Sequence, residues 1–189
     1  GSGKTFTVIQ RILHLINHCH VRSDKILVIT YTKAAAKEMK ERFEAESTHT
    51  GVHFGTFHSI CYNILKQSGK LGGNSLISEV NKRNLLHIIL NNLGMSSKSS
   101  HEFLDVLLNR ISKMKNVPAQ CMEECKEFSY EEVKKIKEEY DNYLKEQNLL
   151  DFDDMITNCL KLLTENEIIC KKYQQMFQYI LVDEFQDIN

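Results

Sequence analysis

Tyr179-Ile-Leu-Val-Asp-Glu184 is the stretch that decides the fold: an apolar run leads straight into two adjacent carboxylates. A short continuous apolar run reads as a strand buried on both faces. Two acids at its end are costly to desolvate unless they face a cation or water. At the other end of the chain, Gly1-Ser-Gly-Lys-Thr5 opens a pattern in which Val8, Ile12, Leu15 and Ile16 recur near the helical period over residues 4–18. This pentapeptide fits the second half of a phosphate loop, G-x-x-x-x-G-K-[ST]. Glycines let backbone N–H groups curl around phosphate, lysine reaches the β and γ oxygens, and the threonine hydroxyl ligates Mg²⁺. Gly1-Ser2 also fits the scar of a cleaved tag, which leaves Gly3-Lys4-Thr5 as the core of the motif. Each feature alone has a plain reading, a glycine-rich helix start and an acidic turn after a strand. Together they point to nucleotide hydrolysis, in which the first acid holds the metal and the second orients or activates water.

Between the two ends the pattern alternates. Lys25-Ile-Leu-Val-Ile-Thr30 reads as a buried strand, Ala34 to Phe43 as a helix carrying Ala35, Met39 and Phe43, and Val52 to Thr56 as a second strand. A helix with Ile60, Ile64 and Leu65 follows. Strands alternating with helices predict an α/β fold with a parallel sheet covered on both faces. After Gly69 and the Gly72-Gly-Asn-Ser75 turn no strand pattern appears up to residue 150. Three amphipathic helices are predicted there, marked by Leu85, Ile88, Ile89 and Leu93, by Phe103, Leu104, Leu107, Leu108 and Ile111, and by Tyr130, Val133, Ile136, Lys137, Tyr140 and Leu144. Pro118 and the serine-rich Met95–Ser100 stretch break them apart. The economical description is an all-helical insertion, residues 67–150, between two parts of one α/β domain, 1–66 and 151–189.

The 189 residues suffice for one such domain with an insertion. With 42% hydrophobic and 26% charged residues, the composition excludes a disordered, collagen-like or low-complexity chain. A net charge of -1 gives no overall sign of nucleic acid. By segment, residues 1–66 carry nine Lys and Arg against five acids, and residues 151–189 carry three against eight. A basic start could face phosphates and an acidic end could hold a metal, or both could be solvated surface. The six cysteines show no paired framework, so reduced thiols are expected. Neither Cys121-Met-Glu-Glu-Cys125 nor the His14, His18, Cys19, His20 cluster brings four metal ligands into view. No apolar run approaches the ~18 residues of a membrane span, so a cytoplasmic protein with no membrane partner is expected. The chain lacks an initiator Met and opens inside the loop, as a piece of a longer protein would.

Five blocks occur in order: Gly3-Lys4-Thr5, Thr30-Tyr-Thr-Lys-Ala-Ala-Ala-Lys-Glu-Met39, Gly55-Thr-Phe-His-Ser59, Asp151-Phe-Asp-Asp154 and Val182-Asp-Glu-Phe-Gln-Asp-Ile-Asn189. Together they resemble the UvrD/Rep/PcrA helicases of superfamily 1A. The resemblance implies a RecA-like P-loop sheet (the 1A domain) whose first strand is missing, a 1B-type helical insertion, and truncation after Asp-Glu-Phe-Gln-Asp. It implies an ATP-dependent 3′→5′ DNA helicase or translocase of repair, replication or recombination. Implied partners are ATP, Mg²⁺, single-stranded DNA, single/double-strand junctions and a C-terminal RecA-like lobe of the same polypeptide. Gly1, Ser2, Gly3, Lys4 and Thr5 would bind the phosphates, and Thr5 and Asp183 the Mg²⁺. Glu184 would be the base for water, and Gln186 would couple the γ-phosphate to the moving parts. Tyr31 and Phe152 would stack single-stranded bases, and Thr56 and His58 would touch the DNA backbone. Base stacking tolerates any sequence and suits a translocating motor. Outside that context Tyr31 and Phe152 read as core aromatics, and His58 as a helix-cap histidine.

One block departs from the common text. Lys33 and Ala34 stand where UvrD-like sequences have Asn-Lys, which resembles the AddA/RecB side. A helicase–nuclease subunit is therefore one alternative, and a catalytically idle nucleic-acid-binding module is another. The adenine-reading motif and second-lobe arginines of such motors are absent from these 189 residues, so the isolated chain is expected to hydrolyse ATP negligibly.

Overall fold

The computed structural model describes residues 3–71, 75–95, 100–116 and 127–187. Gly1 and Ser2, the Gly72–Asn74 part of the glycine turn, Pro118, Cys121, Cys125, Ile188 and Asn189 lie outside them.

Strand β1 (Ile26–Thr30) is buried along its whole length, no residue exceeding 6% exposure. An unbroken apolar run has that fate at the centre of a parallel sheet. β1 pairs in parallel with β2 (His53–Thr56) on one side and with β5 (Tyr179–Val182) on the other. Helix α1 (Lys4–Asn17) lays Ile9, Ile12, Leu15 and Ile16 into a core shared with Ile26, Val28 and, from α2 (Lys33–Glu46), Met39 and Phe43. The helix α3 (Phe57–Gln67) follows β2 directly. The α/β class with a parallel sheet is thus observed, with one correction. β5 is not buried on both faces: Ile180 is 55% exposed, and among the described residues no strand pairs with its outer edge. Among the described residues β5 has a strand neighbour on one side only.

The chain divides into two compact units, Gly1–Lys70 with Asn158–Asn189, and Leu71–Thr157. In the second unit α4 (Glu79–Asn92), α5 (His101–Asn116) and α6 (Tyr130–Glu146) enclose a core of Leu86, Leu90, Leu104, Leu107, Ile136 and Tyr140. Ser78 caps α4, and a reciprocal Ser129–Glu132 box caps α6. This unit is not all-helical as predicted. β3 (Ser75–Leu76) pairs in parallel with β4 (Leu149–Leu150). Two residues per strand are too few to carry an alternating pattern.

Two helices complete the chain, α7 (Phe152–Glu165) and α8 (Glu167–Met176). Cys19, Cys61, Cys159 and Cys170 are free thiols. The His14 and His18 rings lie 5.1 Å apart, but among the described residues no three potential metal ligands converge. No described helix is long and apolar enough to cross a membrane.

Candidate active site

Helix α1 starts at Gly3, which has no side chain to cap it. Gly3, its N-cap residue, sits at φ 70°, a left-handed conformation that glycine takes without penalty. Among the described residues no side chain caps this helix end, and its first turn carries no acid. The positive end of the helix dipole is therefore left for an anion, and Thr5 lies half-buried on that first turn. Thr7 returns both its N–H and its hydroxyl to the Gly3 carbonyl, at 3.0 and 3.1 Å.

The parallel register brings the strand ends to one edge. Thr30 is level with Thr56, and the Asp183 N–H donates to the Ile29 carbonyl at 2.9 Å. The chain therefore leaves β1, β2 and β5 along the same carboxyl edge, where open α/β sheets bind their ligands. Asp183 is half-buried there, and among the described residues no cation pairs with its carboxylate. Glu184 takes the left-handed region at φ 51°, which is uncommon for a residue with a side chain. Its carboxylate receives the Lys4 ammonium on Oε1 and the Gln186 side-chain amide on Oε2. Lys4 first, and then Gln186, holds the Glu184 carboxyl below the usual glutamate range. Three of the residues assigned to chemistry are thus in contact although Lys4 and Glu184 lie 180 positions apart. An ionised carboxylate tethered to a phosphate-loop lysine can accept a proton once the lysine is drawn away to phosphate.

The residues assigned to DNA fall into different surroundings. Tyr31 is 68% exposed at the end of β1. The turn that carries it is pinned by the Thr30 hydroxyl on the Thr32 carbonyl (3.0 Å) and by the Thr32 hydroxyl capping α2 (3.1 Å). Phe152, in the other unit, is 40% exposed at the first position of α7, with the Lys82 ammonium 5.6 Å from its ring centroid. Neither is a core aromatic. Thr56 is buried, and its hydroxyl accepts the Ser59 N–H while the Ser59 hydroxyl accepts the Thr56 N–H. That box is tight: a Cβ at Gly55 would lie 2.8 Å from the Ser59 oxygen. With its hydroxyl engaged in capping, Thr56 offers its side chain to α3. His58 is half-buried in the first turn of α3, one position inside the helix from Phe57, so the cap itself is Thr56.

No sequence motif marks Lys115. It is buried within the second unit, where its ammonium donates to Asp151 and Asp154, both at 2.8 Å. Burial opposes charge on Asp151, but the Asp154 N–H and the Lys115 ammonium hold its carboxyl below the usual range. Asp154 goes the other way. Burial first, with the charge of Asp151 added, outweighs the pull of Lys115 and raises it to about 6.

A raised carboxyl means that the folded chain binds a proton the unfolded chain releases. That stabilisation is fully present below the ordinary aspartate value of 3.8 and is lost as pH rises through about 6. Asp154→Asn keeps the neutral form at every pH. The full shift corresponds to about 3 kcal/mol, and with the side chain 31% exposed, solvent screening reduces the expected effect to about 1 kcal/mol. In urea denaturation, the stability of Asp154→Asn relative to the parent should therefore improve by about that much between pH 4.5 and pH 7.5.

Comparison with known proteins places the chain among helicase sequences. The UvrD/REP helicase N-terminal domain family matches residues 1–189. The chain is 35% identical over its whole length to the putative ATP-dependent DNA helicase YjcD of Bacillus subtilis, covering 26% of that protein. It is 32% identical to the ATP-dependent DNA helicase Rep of Buchnera aphidicola subsp. Schizaphis graminum, covering 30% of it. It is 31% identical to the ATP-dependent DNA helicase PcrA of Staphylococcus aureus, covering 27% of it. The chain thus spans between a quarter and a third of the length of these relatives. With a phosphate loop, a strand-end acid pair and this match along its full length, the chain belongs to the UvrD/REP helicase N-terminal domain family.

Proposed function

We propose that this chain is the N-terminal motor segment, a RecA-like 1A domain with a 1B insertion, of an ATP-dependent 3′→5′ DNA helicase or translocase. The contacts of the Glu184 carboxylate with Lys4 and with Gln186 at the carboxyl edge of the sheet carry the proposal. An idle binding module has no need for a lysine and an ionised carboxylate held together at an uncapped helix start. ATP phosphates would settle on the α1 N-terminus and draw Lys4 from Glu184 to the β and γ oxygens. Glu184, then released, accepts a proton from water as the water oxygen bonds to the γ-phosphorus and the bond to ADP breaks. Gln186 stays on the Glu184 carboxylate and links this event to the chain beyond β5.

The metal also has a fitting donor set. The Thr5 hydroxyl and the Asp183 carboxylate, which has no cation partner among the described residues, are hard oxygen donors of the kind Mg²⁺ prefers. When bound there, Mg²⁺ would neutralise phosphate charge. Closure against a C-terminal RecA-like lobe of the same polypeptide would couple hydrolysis to movement along single-stranded DNA, up to single/double-strand junctions, with Tyr31 and Phe152 each offering a ring to a base.

In the full-length polypeptide, single-stranded DNA should stimulate ATP hydrolysis. Tyr31→Ala removes one base-stacking face, worth ~1–3 kcal/mol, so the half-stimulating concentration of a dT oligonucleotide should rise by roughly 10-fold. A rate that ignores single-stranded DNA would overturn the motor assignment. A rate that responds to DNA but not to Tyr31→Ala would remove Tyr31 from the track.

A further inference from the structure

We propose that Lys115 is a positioning residue for Phe152, acting as a clamp that fixes the first turn of α7 so that one ring is presented to a base of single-stranded DNA. The inference deepens the proposed function and rests on its assignment of Phe152.

The clamp joins α5, α6 and the first turn of α7 within the second unit. Lys115 lies in the last turn of α5, its side chain 6% exposed. Besides its bonds to Asp151 and Asp154, its ammonium lies 3.1 Å from the Asp141 carboxylate of α6 and 5.2 Å from the Tyr140 ring centroid. Asp151 in turn caps α7, accepting the Asp154 N–H at 2.8 Å on the carboxylate oxygen that Lys115 leaves open. The neighbouring residues of α5 finish the grip: Ser112 and Asn116 donate to Asp153 at 3.1 and 2.8 Å.

Of the four residues of the Asp151-Phe-Asp-Asp154 block, the three carboxylates are thus tied back to α5. The residue between them, Phe152, faces outward with Lys82 of α4 at its ring. Fixing a helix start could be achieved by apolar packing, and a buried ammonium among carboxylates is a poor device for stability alone. What it adds is direction. Bonds from one nitrogen to two carboxylates set both the position and the angle of the helix's first turn. A stacking ring held in advance loses less freedom when a base arrives.

The test uses the full-length polypeptide, a dT oligonucleotide as probe and DNA-stimulated ATP hydrolysis as readout. Lys115→Met leaves buried carboxylates without their cation and could prevent folding. A second variant, Lys115→Met with Asp151→Asn and Asp154→Asn, removes the clamp without leaving that charge. The clamp-free variant is expected to raise the half-stimulating dT concentration by roughly 5- to 10-fold while the half-saturating ATP concentration stays at the parent value. Introduced into Phe152→Ala, it should add nothing further. The inference is overturned if the clamp-free variant tracks the parent in dT, or if its effect persists undiminished in the Phe152→Ala background. Should Phe152→Ala alone leave the dT dependence unchanged, the base-stacking assignment fails, and the inference with it. A Phe152→Ala effect with an innocent Lys115 instead removes only the clamp.

Discussion

Lys4→Ala should abolish DNA-stimulated ATP hydrolysis in the full-length polypeptide, with kcat/KM falling by at least about 10³-fold. Removing a single neutral donor from a charge-stabilising site commonly costs about 10²–10³-fold, and a lysine on a phosphate is a full charge as well as a donor. Lys4 stands at the first position of α1, where the helix dipole already favours an anion, so its ammonium adds to a field aimed at the same place. The fold should tolerate the change. The Lys4 side chain is half-exposed, and exposed ion pairs contribute little to stability. Steady-state ATPase measurements alongside a nucleotide-binding assay separate the two effects, and both binding and turnover should suffer. Turnover at the parent rate would mean that the Gly3-Lys4-Thr5 loop does not hold the reacting phosphate.

Glu184→Gln should divide binding from chemistry. The amide preserves the size of the side chain and can still meet Lys4 and Gln186, but it cannot take a proton from water. General-base catalysis contributes about 10²–10⁴-fold, so kcat should fall by at least about 10²-fold. The KM for ATP should not rise, because Lys4 is no longer held by a carboxylate and is more readily drawn to phosphate. The pH profile of the parent follows from the same contact. With its carboxyl held below the usual range by Lys4 and then Gln186, Glu184 stays ionised through neutral pH. The base is lost only as pH falls through that lowered value, so the acid limb of the rate should lie below the ordinary glutamate range. An unchanged kcat in Glu184→Gln would assign the water to another group.

The two variants therefore carry different signatures. Lys4→Ala damages affinity and turnover together, whereas Glu184→Gln damages turnover alone. A loss of fold would damage both in both variants.

Residue chemistry was legible in the sequence to the extent that it depends on neighbours in the chain. Gly3-Lys4-Thr5 before a helical period, the buried run of β1, and the apolar faces of α4, α5 and α6 are local patterns, and each element appears where its pattern lies. Contacts across long separations leave no such trace. Nothing in the spelling of Asp151-Phe-Asp-Asp154 points to Lys115, 36 positions earlier, as the partner of its first acid. The single strand neighbour of β5 among the described residues was equally hidden, because an apolar run records that a strand is wanted in a sheet and not how many neighbours it has. Thr56 shows a third limit. A threonine hydroxyl beside a basic surface and one that caps a helix are spelled alike, and only the Ser59 geometry distinguishes them.

The pairing of β1 with β5 has a consequence for the order of events during synthesis. Ile26 lies level with Tyr179, so the sheet closes across roughly 150 residues, with the entire helical unit written in between. At ribosomal speeds of about 5–20 residues per second, the wait is on the order of ten seconds. Through that interval β1 has β2 on one side and an open ladder on the other, while α4, α5 and α6 can assemble from local contacts of their own. The acids that follow β5 arrive after all of these. A nascent chain thus carries Lys4 for seconds before Glu184, the residue its ammonium meets across the closed sheet, has been synthesised.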